Sequence, residues 1–243
     1  MAIKENSFVE VSYTGKTKEG LVFDTSSADI AKAAKVFNPK QKYEPARVCV
    51  GQGQILPGLD ESLVDRKAGE KYTIEISPEK GFGKRDVKNV ELVPMSTFNE
   101  HKVKPFTGLQ VDFDGKIGVV MKISGGRVMV NFNHPLSGKD LIYDVEILRE
   151  ITDSKEQLES FLGNVLQLKP EFVKVSVDSA AKKANIEMPF QLPEQFVDAL
   201  SEKLGIIIDG LDTVEFSVKV PEGMEGKIPG HHHHEHGPNC NHG

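Results

Sequence analysis

The sequence has little of what marks a membrane, exported or nucleic-acid-binding protein. No apolar run approaches the ~18 residues that a membrane-spanning helix needs. The N-terminus, Met-Ala-Ile-Lys-Glu-Asn, has no apolar segment behind a basic start, so nothing marks it for export. The net charge of -6 over 243 residues argues against nucleic acid as the main partner. We therefore expect a cytoplasmic protein with neither a membrane nor a nucleic-acid partner.

Groups that carry covalent chemistry are also scarce. The two cysteines, Cys49 and Cys240, lie toward opposite ends of the sequence and form no disulfide framework. Cys49 falls within an apolar strand, where a buried thiol is the expected role. The sequence has no nucleophile elbow, no HExxH motif and no P-loop. Hydrolase and transferase chemistry therefore has no visible site.

The first 150 residues are organised around one loop and short helix, which the sequence places at 50–60. Gly51 and Gly53 let the backbone bend after a strand, and Pro57 begins a short helix. Ile55 and Leu56 lie on the loop, where they form either a pocket floor or ordinary core. Strand-length apolar alternation surrounds this stretch, and no helix joins parallel strands. We predict an antiparallel β-rich assembly.

Three further segments follow from changes in pattern. Residues 87–133 contain strand pairs separated by Asp114-Gly115 and Gly125-Gly126, which are typical of hairpin turns. Residues 153–220 read as α-β-β-α-β, with a capping box from Ser154 and a second helix that begins at Pro193 and closes at Gly205. This α+β domain has no internal polar cluster, so docking or dimerisation is its expected role. Residues 221–243 are rich in Gly, Pro and His and are expected to be disordered.

Five blocks of the sequence form a pattern in a fixed order: Val11-Ser12-Tyr13-Thr14-Gly15, Phe23-Asp24-Thr25-Ser26, Gly51 to Asp60, Ile76-Ser77-Pro78-Glu79-Lys80-Gly81-Phe82-Gly83 and Tyr143-Asp144-Val145-Glu146. These five blocks resemble the FKBP-type peptidyl-prolyl cis/trans isomerases. The position of the insert at 87–133 is similar to that of the insert-in-flap domain in the SlyD branch, and the extra C-terminal domain is similar to the long archaeal members.

The resemblance implies a fold class and a domain organisation. The class is α+β: an antiparallel FKBP-like β half-barrel with a short helix, an inserted small β-rich domain and a C-terminal α+β domain. The implied isomerase domain is discontinuous, at 1–86 and 134–152. Residues 87–133 would be an insert-in-flap chaperone domain, 153–220 the C-terminal domain with a homodimer as one expected arrangement, and 221–243 the His-rich tail.

The resemblance also implies the function and its residues. The substrates would be Xaa-Pro bonds of unfolded or partly folded polypeptides, and catalysis would need no cofactor. It assigns catalytic roles to Tyr13, Phe23, Asp24, Phe82 and Tyr143, and substrate-binding roles to Val48, Ile55, Leu56 and Leu59. Two departures bear on drug binding: Leu59 stands where many members have Trp, and Ala46 where an aromatic residue is usual. Both should widen the pocket.

Two more groups of residues are predicted to bind partners. The SlyD resemblance implies a chaperone surface for unfolded chains, with candidates Phe98, Phe106, Val119, Met121 and Met129; the insert's own core is the alternative role. The tail suits nickel, zinc or copper, with candidate ligands His231, His232, His233, His234, His236, Cys240 and His242. A purification tag is the alternative for the tail. For the whole chain, the alternatives are a metal-handling protein and a non-catalytic peptide-binding scaffold.

Overall fold

The computed structural model describes residues 2–113, 115–168 and 172–219. The chain divides into two compact units. The first comprises Met1–Ile3, Glu10–Ala46 and Val50–Arg149, and the second comprises Lys4–Val9, Arg47–Cys49 and the chain from Glu150 onward. Among the described residues, no helix combines the length and apolar character that a membrane span requires. The cytoplasmic location stays a prediction.

The described residues form a mixed α+β structure, as the fold class predicted. The strands are β1 (Phe8–Thr17), β2 (Val22–Thr25), β3 (Ala46–Cys49), β4 (Lys71–Ile76), β5 (Val90–Pro94), β6 (Gln110–Phe113), β7 (Lys116–Ser124), β8 (Arg127–Asn131), β9 (Leu141–Glu150), β10 (Lys174–Asp178), β11 (Lys183–Met188) and β12 (Thr213–Val218). The α-helices are α1 (Ala28–Ala33), α2 (Pro57–Leu63), α3 (Met95–Glu100), α4 (Ser154–Leu166) and α5 (Glu194–Ile207).

A five-stranded sheet with the order β2-β1-β9-β4, on which β3 pairs with β1, positions the site. The β1–β2 and β4–β9 pairs are antiparallel. Alternate residues of β9 are buried, from Leu141 through Tyr143 to Ile147, because successive side chains of a strand point to opposite faces. Asp144 lies opposite Thr73 on the other face, where its carboxylate accepts hydrogen bonds from Lys16 and Thr73, each at 2.7 Å. The register of β9 therefore fixes which side chains face the core.

Two short helices flank this sheet. Ser27 caps α1 by accepting a hydrogen bond from the backbone N–H of Ile30. Proline stands at the first position of α2, where its missing N–H costs nothing. A Cβ on Gly58 would come within 2.6 Å of Ile76 Cγ2, so a larger residue there would push α2 off β4. Glycine at 58 thus permits close packing of the helix on the strand.

Residues 87–133, the insert, contain a four-stranded antiparallel sheet with the order β5-β8-β7-β6 and the helix α3. The sequence pattern did not predict β5. The insert has its own core of Phe98, Val111, Val120, Val128 and Val130. Phe98 is fully buried there, so its assignment to an exposed chaperone surface is wrong. It supports the insert's core instead, the alternative that the sequence left open.

The two ends of the insert meet. The Asn133 side chain accepts a hydrogen bond from the backbone N–H of Asp86 and donates one to the Asp86 carbonyl, each at 2.9 Å. The N–H of Phe132 donates to the carbonyl of Asn89 at 2.8 Å. The chain therefore enters and leaves the insert at one place.

The second unit has a three-stranded sheet with the order β10-β11-β12, in which β10–β11 is antiparallel and β11–β12 parallel. Its element order from α4 onward is α-β-β-α-β, as the sequence indicated. The helix ends differ from the sequence analysis. The cap of α4 is Asp153, which accepts from the N–H of Glu156, and α5 continues past Gly205 to Ile207. A core that includes Phe161, Ile186 and Leu204 holds these elements together.

Candidate functional site

Four aromatic side chains, from β1, β2, the loop after β4 and β9, meet in the first unit. We call them the aromatic cluster: Tyr13, Phe23, Phe82 and Tyr143. The ring of Phe23 lies edge-on to Phe82 at 6.0 Å and edge-on to Tyr143 at 5.8 Å, centroid to centroid. Tyr13 lies 6.1 Å from Tyr143. Edge-to-face contacts at such distances are the favoured geometry of aromatic pairs. The structure thus brings together four of the five residues for which the sequence predicted catalytic roles.

Gly15 makes room for this arrangement. A Cβ at this position would come within 2.8 Å of Phe23 Cζ and 2.9 Å of Tyr143 Cε1. Gly15 pairs with Asp24 across β1 and β2, and the register shifts between Gly15 and Lys16. The sequence analysis used Gly15 only as part of a motif and missed this role. No signal in a single sequence separates such a glycine from one that permits a turn.

Asp24 is the charged member of the site. It lies half-buried on β2, next to Phe23. Burial raises the pKa of Asp24, and this effect is partly offset by the hydroxyl of Tyr13 and the backbone N–H of Thr25, which stabilise the ionised carboxylate. Burial and the charge of Asp24 raise the pKa of Tyr13 to about 12. The pKa of Tyr143 is raised for the same two reasons, burial first. Both phenols therefore stay neutral and can donate hydrogen bonds at physiological pH.

The loop that carries Phe82 is held by the chain segment 134–138, which we call the His134 loop. The hydroxyl of Ser137 donates to the carbonyl of Phe82 at 3.0 Å, and the N–H of Gly138 donates to the carbonyl of Gly83 at 2.8 Å. The ring of His134 stacks on Phe82 with centroids 4.4 Å apart and an interplanar angle of 11°. The sequence analysis quoted His134 only as part of a connecting segment and missed this contact.

The loop at 51–56 and α2 carry the remaining predicted pocket residues of the first unit. The carboxylate of Asp60 accepts hydrogen bonds from the N–H of Gly51 at 2.9 Å and the N–H of Gly53 at 3.1 Å. Both glycines have positive φ, of 82° and 64°, which other residues adopt only with strain. This anchor fixes the loop that holds Ile55 and Leu56.

The predicted substrate-binding residues are less fully placed than the aromatic cluster. Ile55 and Leu56 are half-buried, and Leu59 is buried in α2. Val48 is buried in β3, in a segment assigned to the second unit. The ring contacts within the aromatic cluster do not show whether these four aliphatic side chains lie beside it. Their part in substrate binding stays a prediction.

Most of the predicted chaperone residues lie on the surface of the insert. Phe106 is 60% exposed, Met121 is 44% exposed and Val119 is 37% exposed, whereas Met129 is half-buried. The sheet also exposes Leu92, which lies opposite Met129, and Ile117. We call this group the insert face: Leu92, Ile117, Val119, Met121 and Met129. The period-two alternation of β7 already carried a signal for Ile117, whereas Leu92 needed the unpredicted strand β5.

The predicted metal ligands, His231 to His242 with Cys240, lie outside the described residues. Within the residues that the structure describes, no group of three or more His, Cys, Asp or Glu side chains could hold a metal ion. Cys49 is buried, and its Sγ contacts the carbonyl of Asn6 at 3.6 Å, which agrees with a packed thiol. The metal site stays a prediction about the tail.

Comparisons with known proteins identify the family of the chain. Residues 91–136 match the family model described as the FKBP26 IF domain. The chain is 32% identical over 145 residues to the short-type peptidyl-prolyl cis-trans isomerase of Methanocaldococcus jannaschii, covering 60% of this chain and 92% of that protein. It is 40% identical over 109 residues to a probable FKBP-type 16 kDa peptidyl-prolyl cis-trans isomerase of Pseudomonas fluorescens, covering 43% and 71%.

A third relative is a SlyD protein. The chain is 28% identical over 161 residues to the FKBP-type peptidyl-prolyl cis-trans isomerase SlyD of Haemophilus influenzae, covering 63% of this chain and 75% of that protein. The match to an IF domain falls on the segment that the sequence analysis identified as the insert. The chain therefore belongs to the FKBP-type peptidyl-prolyl cis-trans isomerases, in the SlyD-like group that carries an insert-in-flap domain.

Proposed function

We propose that the aromatic cluster and Asp24 form the pocket in which this isomerase rotates Xaa-Pro bonds of unfolded polypeptides. Rotation faces a barrier of about 18–20 kcal/mol, because the amide bond has double-bond character. Planarity depends on charge separation onto the carbonyl oxygen, which water stabilises. An apolar pocket removes that water and favours the twisted amide over either planar form. The contact of four rings beside one partly buried carboxylate is the observation that carries this proposal.

Each group in the pocket has a distinct part. Phe23, Phe82 and Tyr143 grip the proline ring and exclude water. Asp24 polarises the twisted amide or orients the hydroxyl of Tyr13. The aliphatic residues Ile55, Leu56 and Leu59 complete the apolar lining. No bond between heavy atoms breaks, so the reaction requires neither a nucleophile nor a cofactor. The acidic net charge of the chain favours polypeptide over nucleic acid as its partner.

Two substitutions test this pocket. Phe82→Ala removes a ring of the aromatic cluster, and Asp24→Leu removes the carboxylate. We expect each to slow catalysed cis/trans exchange of an Xaa-Pro peptide by about tenfold or more, equal to about 1.4 kcal/mol of transition-state stabilisation. Phe37→Ala is the matched control, because the ring of Phe37 stacks on Tyr43, outside the aromatic cluster. Wild-type rates in both test variants would overturn the assignment of the pocket. A wild-type chain that leaves exchange at the uncatalysed rate would favour a peptide-binding scaffold without catalysis.

We further propose that the insert holds unfolded clients for the isomerase site. The support is the insert face, which exposes aliphatic and Met side chains that adapt to varied partners. Met121→Ser should weaken suppression of aggregation of an unfolded protein, while Xaa-Pro peptide exchange stays at the wild-type rate. Lys122→Ser, at the next position of β7, is the control for a surface change without apolar loss. Equal chaperone activity in the two variants would contradict this role.

We propose that the tail binds nickel, zinc or copper through its histidines and Cys240. The support is its composition, in which Glu, Pro, Asn and Cys interrupt a histidine run, unlike a simple purification tag. A chain that ends at Val220 should lose tight metal binding in a calorimetric titration and keep isomerase activity. Retained tight binding would place the metal elsewhere. Loss of isomerase activity together with metal binding would mean that catalysis depends on the tail, contrary to this proposal.

We also propose that the second unit mediates a homodimer. The support is the exposure of Phe196 and Ile206 on α5, at 41% and 68%. Sedimentation equilibrium of the full chain should show a dimer that Ile206→Glu dissociates. A monomer at all concentrations would contradict the proposal.

A further inference from the structure

The stack of His134 on Phe82 is not explained by the roles given above. The two rings are nearly parallel, with centroids 4.4 Å apart, whereas the rings of Phe82 and Phe23 meet edge-on at 6.0 Å. We propose that His134 is a positioning residue that holds the Phe82 ring in the aromatic cluster. This inference rests on the proposed function, in which Phe82 contacts the substrate proline.

Backbone contacts fix both rings at their origins. The Ser137 hydroxyl binds the carbonyl of Phe82, and the Gly138 N–H binds the carbonyl of Gly83, the next residue. The chain before His134 is fixed as well, because Asn133 is hydrogen-bonded to both the N–H and the carbonyl of Asp86. Hydrogen bonds thus join the loop of Phe82 to the loop of His134 both before and after His134. These bonds fix the backbone positions from which the two rings project.

The imidazole ring is also oriented by its own loop. The N–H of Leu136 donates a hydrogen bond to His134 Nδ1 at 3.2 Å. The acceptor role of Nδ1 places the proton of the neutral imidazole on Nε2. A ring held in this way presents a fixed face to Phe82. A flexible side chain of similar size would cover Phe82 without restricting the angle of its ring.

The position of Phe82 explains why it needs such support. Phe82 is half-buried, on a loop between two glycines, Gly81 and Gly83. Gly83 has a φ of 77°, and neither neighbour contributes a side chain that would restrict the aromatic ring. Within the described residues, the aromatic rings in contact with Phe82 are those of Phe23, edge-on, and His134, stacked. Loss of the His134 ring would leave one edge-on contact to aim Phe82 at the substrate.

Two substitutions separate the ring of His134 from its hydrogen bond. His134→Phe keeps a ring that can stack and removes the acceptor, whereas His134→Asn keeps an acceptor for the Leu136 N–H and removes the ring. We expect His134→Ala and His134→Asn to lower kcat/KM for an Xaa-Pro peptide by about two- to tenfold, the range of a single aromatic stack. His134→Phe should recover most of the wild-type value. Thermal unfolding of each variant shows whether the fold is kept.

A double-mutant cycle with Phe82→Ala tests whether His134 affects kcat/KM through Phe82. If His134 acts through Phe82, His134→Ala should cause no further loss in the Phe82→Ala background. An equal loss in both backgrounds would overturn the inference, and so would activity that follows the acceptor rather than the ring.

The same experiment distinguishes this inference from the proposed function. If Phe82→Ala lowers kcat/KM while His134→Ala leaves it unchanged, the positioning role is wrong and the pocket stands. If Phe82→Ala itself leaves kcat/KM unchanged, the pocket assignment fails, and the role of His134 fails with it.

Discussion

The aromatic cluster and the insert face are two apolar surfaces of the same unit, and their side chains differ in exposure to solvent. The rings of the aromatic cluster contact each other and cover much of their own surface; Tyr143 is only 2% exposed. The insert face leaves its side chains separately exposed, at 57% for Ile117 and 44% for Met121. Preformed ring contacts suit one small rigid group such as proline. Separate aliphatic side chains suit extended chains of varied sequence.

The difference agrees with the two proposed roles, which we call the division of labour. The aromatic cluster would select proline, and the insert face would bind many different unfolded chains. A pocket that is ordered before binding loses little conformational entropy when substrate enters. A surface of flexible side chains orders on binding and therefore binds weakly, but it accepts many partners. If the insert face holds clients as proposed, linking the two surfaces in one chain would raise the effective concentration of a client at the pocket. Experiments that separate the surfaces, or damage each in a matched way, test this interpretation.

Removal of the insert should have the largest effect. A chain with Asp86 joined to Asn133 can close, because these residues are already hydrogen-bonded to each other. We expect activity on a short Xaa-Pro peptide to stay near wild type. Catalysis of proline-limited refolding of a protein should fall by about a hundredfold, the typical gain from tethering a substrate to a second site. Parallel peptide and refolding assays measure this; equal losses in the two would refute the division of labour.

A matched pair of glycine substitutions should have an intermediate effect. An added Cβ at Gly15 meets Phe23 and Tyr143, and one at Gly118 meets Phe132 at 2.6 Å and Val130 at 2.7 Å. Overpacking of this kind costs about 1–3 kcal/mol of stability. Gly15→Ala should therefore lower peptide exchange by about tenfold, whereas Gly118→Ala should leave it unchanged. Both should lower the melting temperature. Similar peptide rates in the two variants would mean that the aromatic cluster tolerates displacement.

The pH dependence of catalysis should show the smallest effect. Because burial raises the pKa of Asp24, its carboxylate loses its charge at a higher pH than an ordinary aspartate. Peptide exchange should therefore fall on the acid side with a midpoint above about 3.9. Asp24→Asn should abolish that limb, whereas Asp29→Asn, at an exposed position of α1, should keep it. An acid limb that persists in Asp24→Asn would assign it to another group.

The same raised pKa predicts a change in stability with the opposite sign from that of a salt-bridged carboxylate. The folded state disfavours the ionised form of Asp24, so its cost is full above the folded pKa. That cost disappears as the pH falls toward the value of the unfolded chain. The stability advantage of Asp24→Asn over wild type should accordingly shrink as the pH is lowered, in chemical unfolding at several pH values.

The sequence predicted the elements of the isomerase site better than their contacts. The FKBP-like blocks assigned Tyr13, Phe23, Asp24, Phe82 and Tyr143 to the site. They did not identify His134, because its partner Phe82 lies on a distant loop, and no local pattern reports a stack between loops. Gly15 was missed for a similar reason, since the space that it leaves is defined by side chains from β2 and β9.

The sequence predicted two features less well: the helix ends in the second unit, and the burial of side chains in the insert. Asp153 and Ser154 are both suitable capping residues, and only the backbone geometry decides that Asp153 takes this role. Gly205 lies within α5 because the apolar face continues to Ile207, which is buried. Phe98 was placed on the surface because a short helix with one aromatic residue gives no periodic signal of the side that is buried.

The pairing of Asp144 with Lys16 and Thr73 has a consequence for how the isomerase fold assembles correctly. These contacts join β9 to residues of its two neighbouring strands, β1 and β4, through one carboxylate. A slip of β9 by one residue would exchange its two faces, turning Tyr143 outward and driving Asp144, as a charge, into the ring-lined hollow. The outward carboxylate therefore favours the native register of β9. A shifted strand would bury this charge at high cost, and the native register leaves it paired.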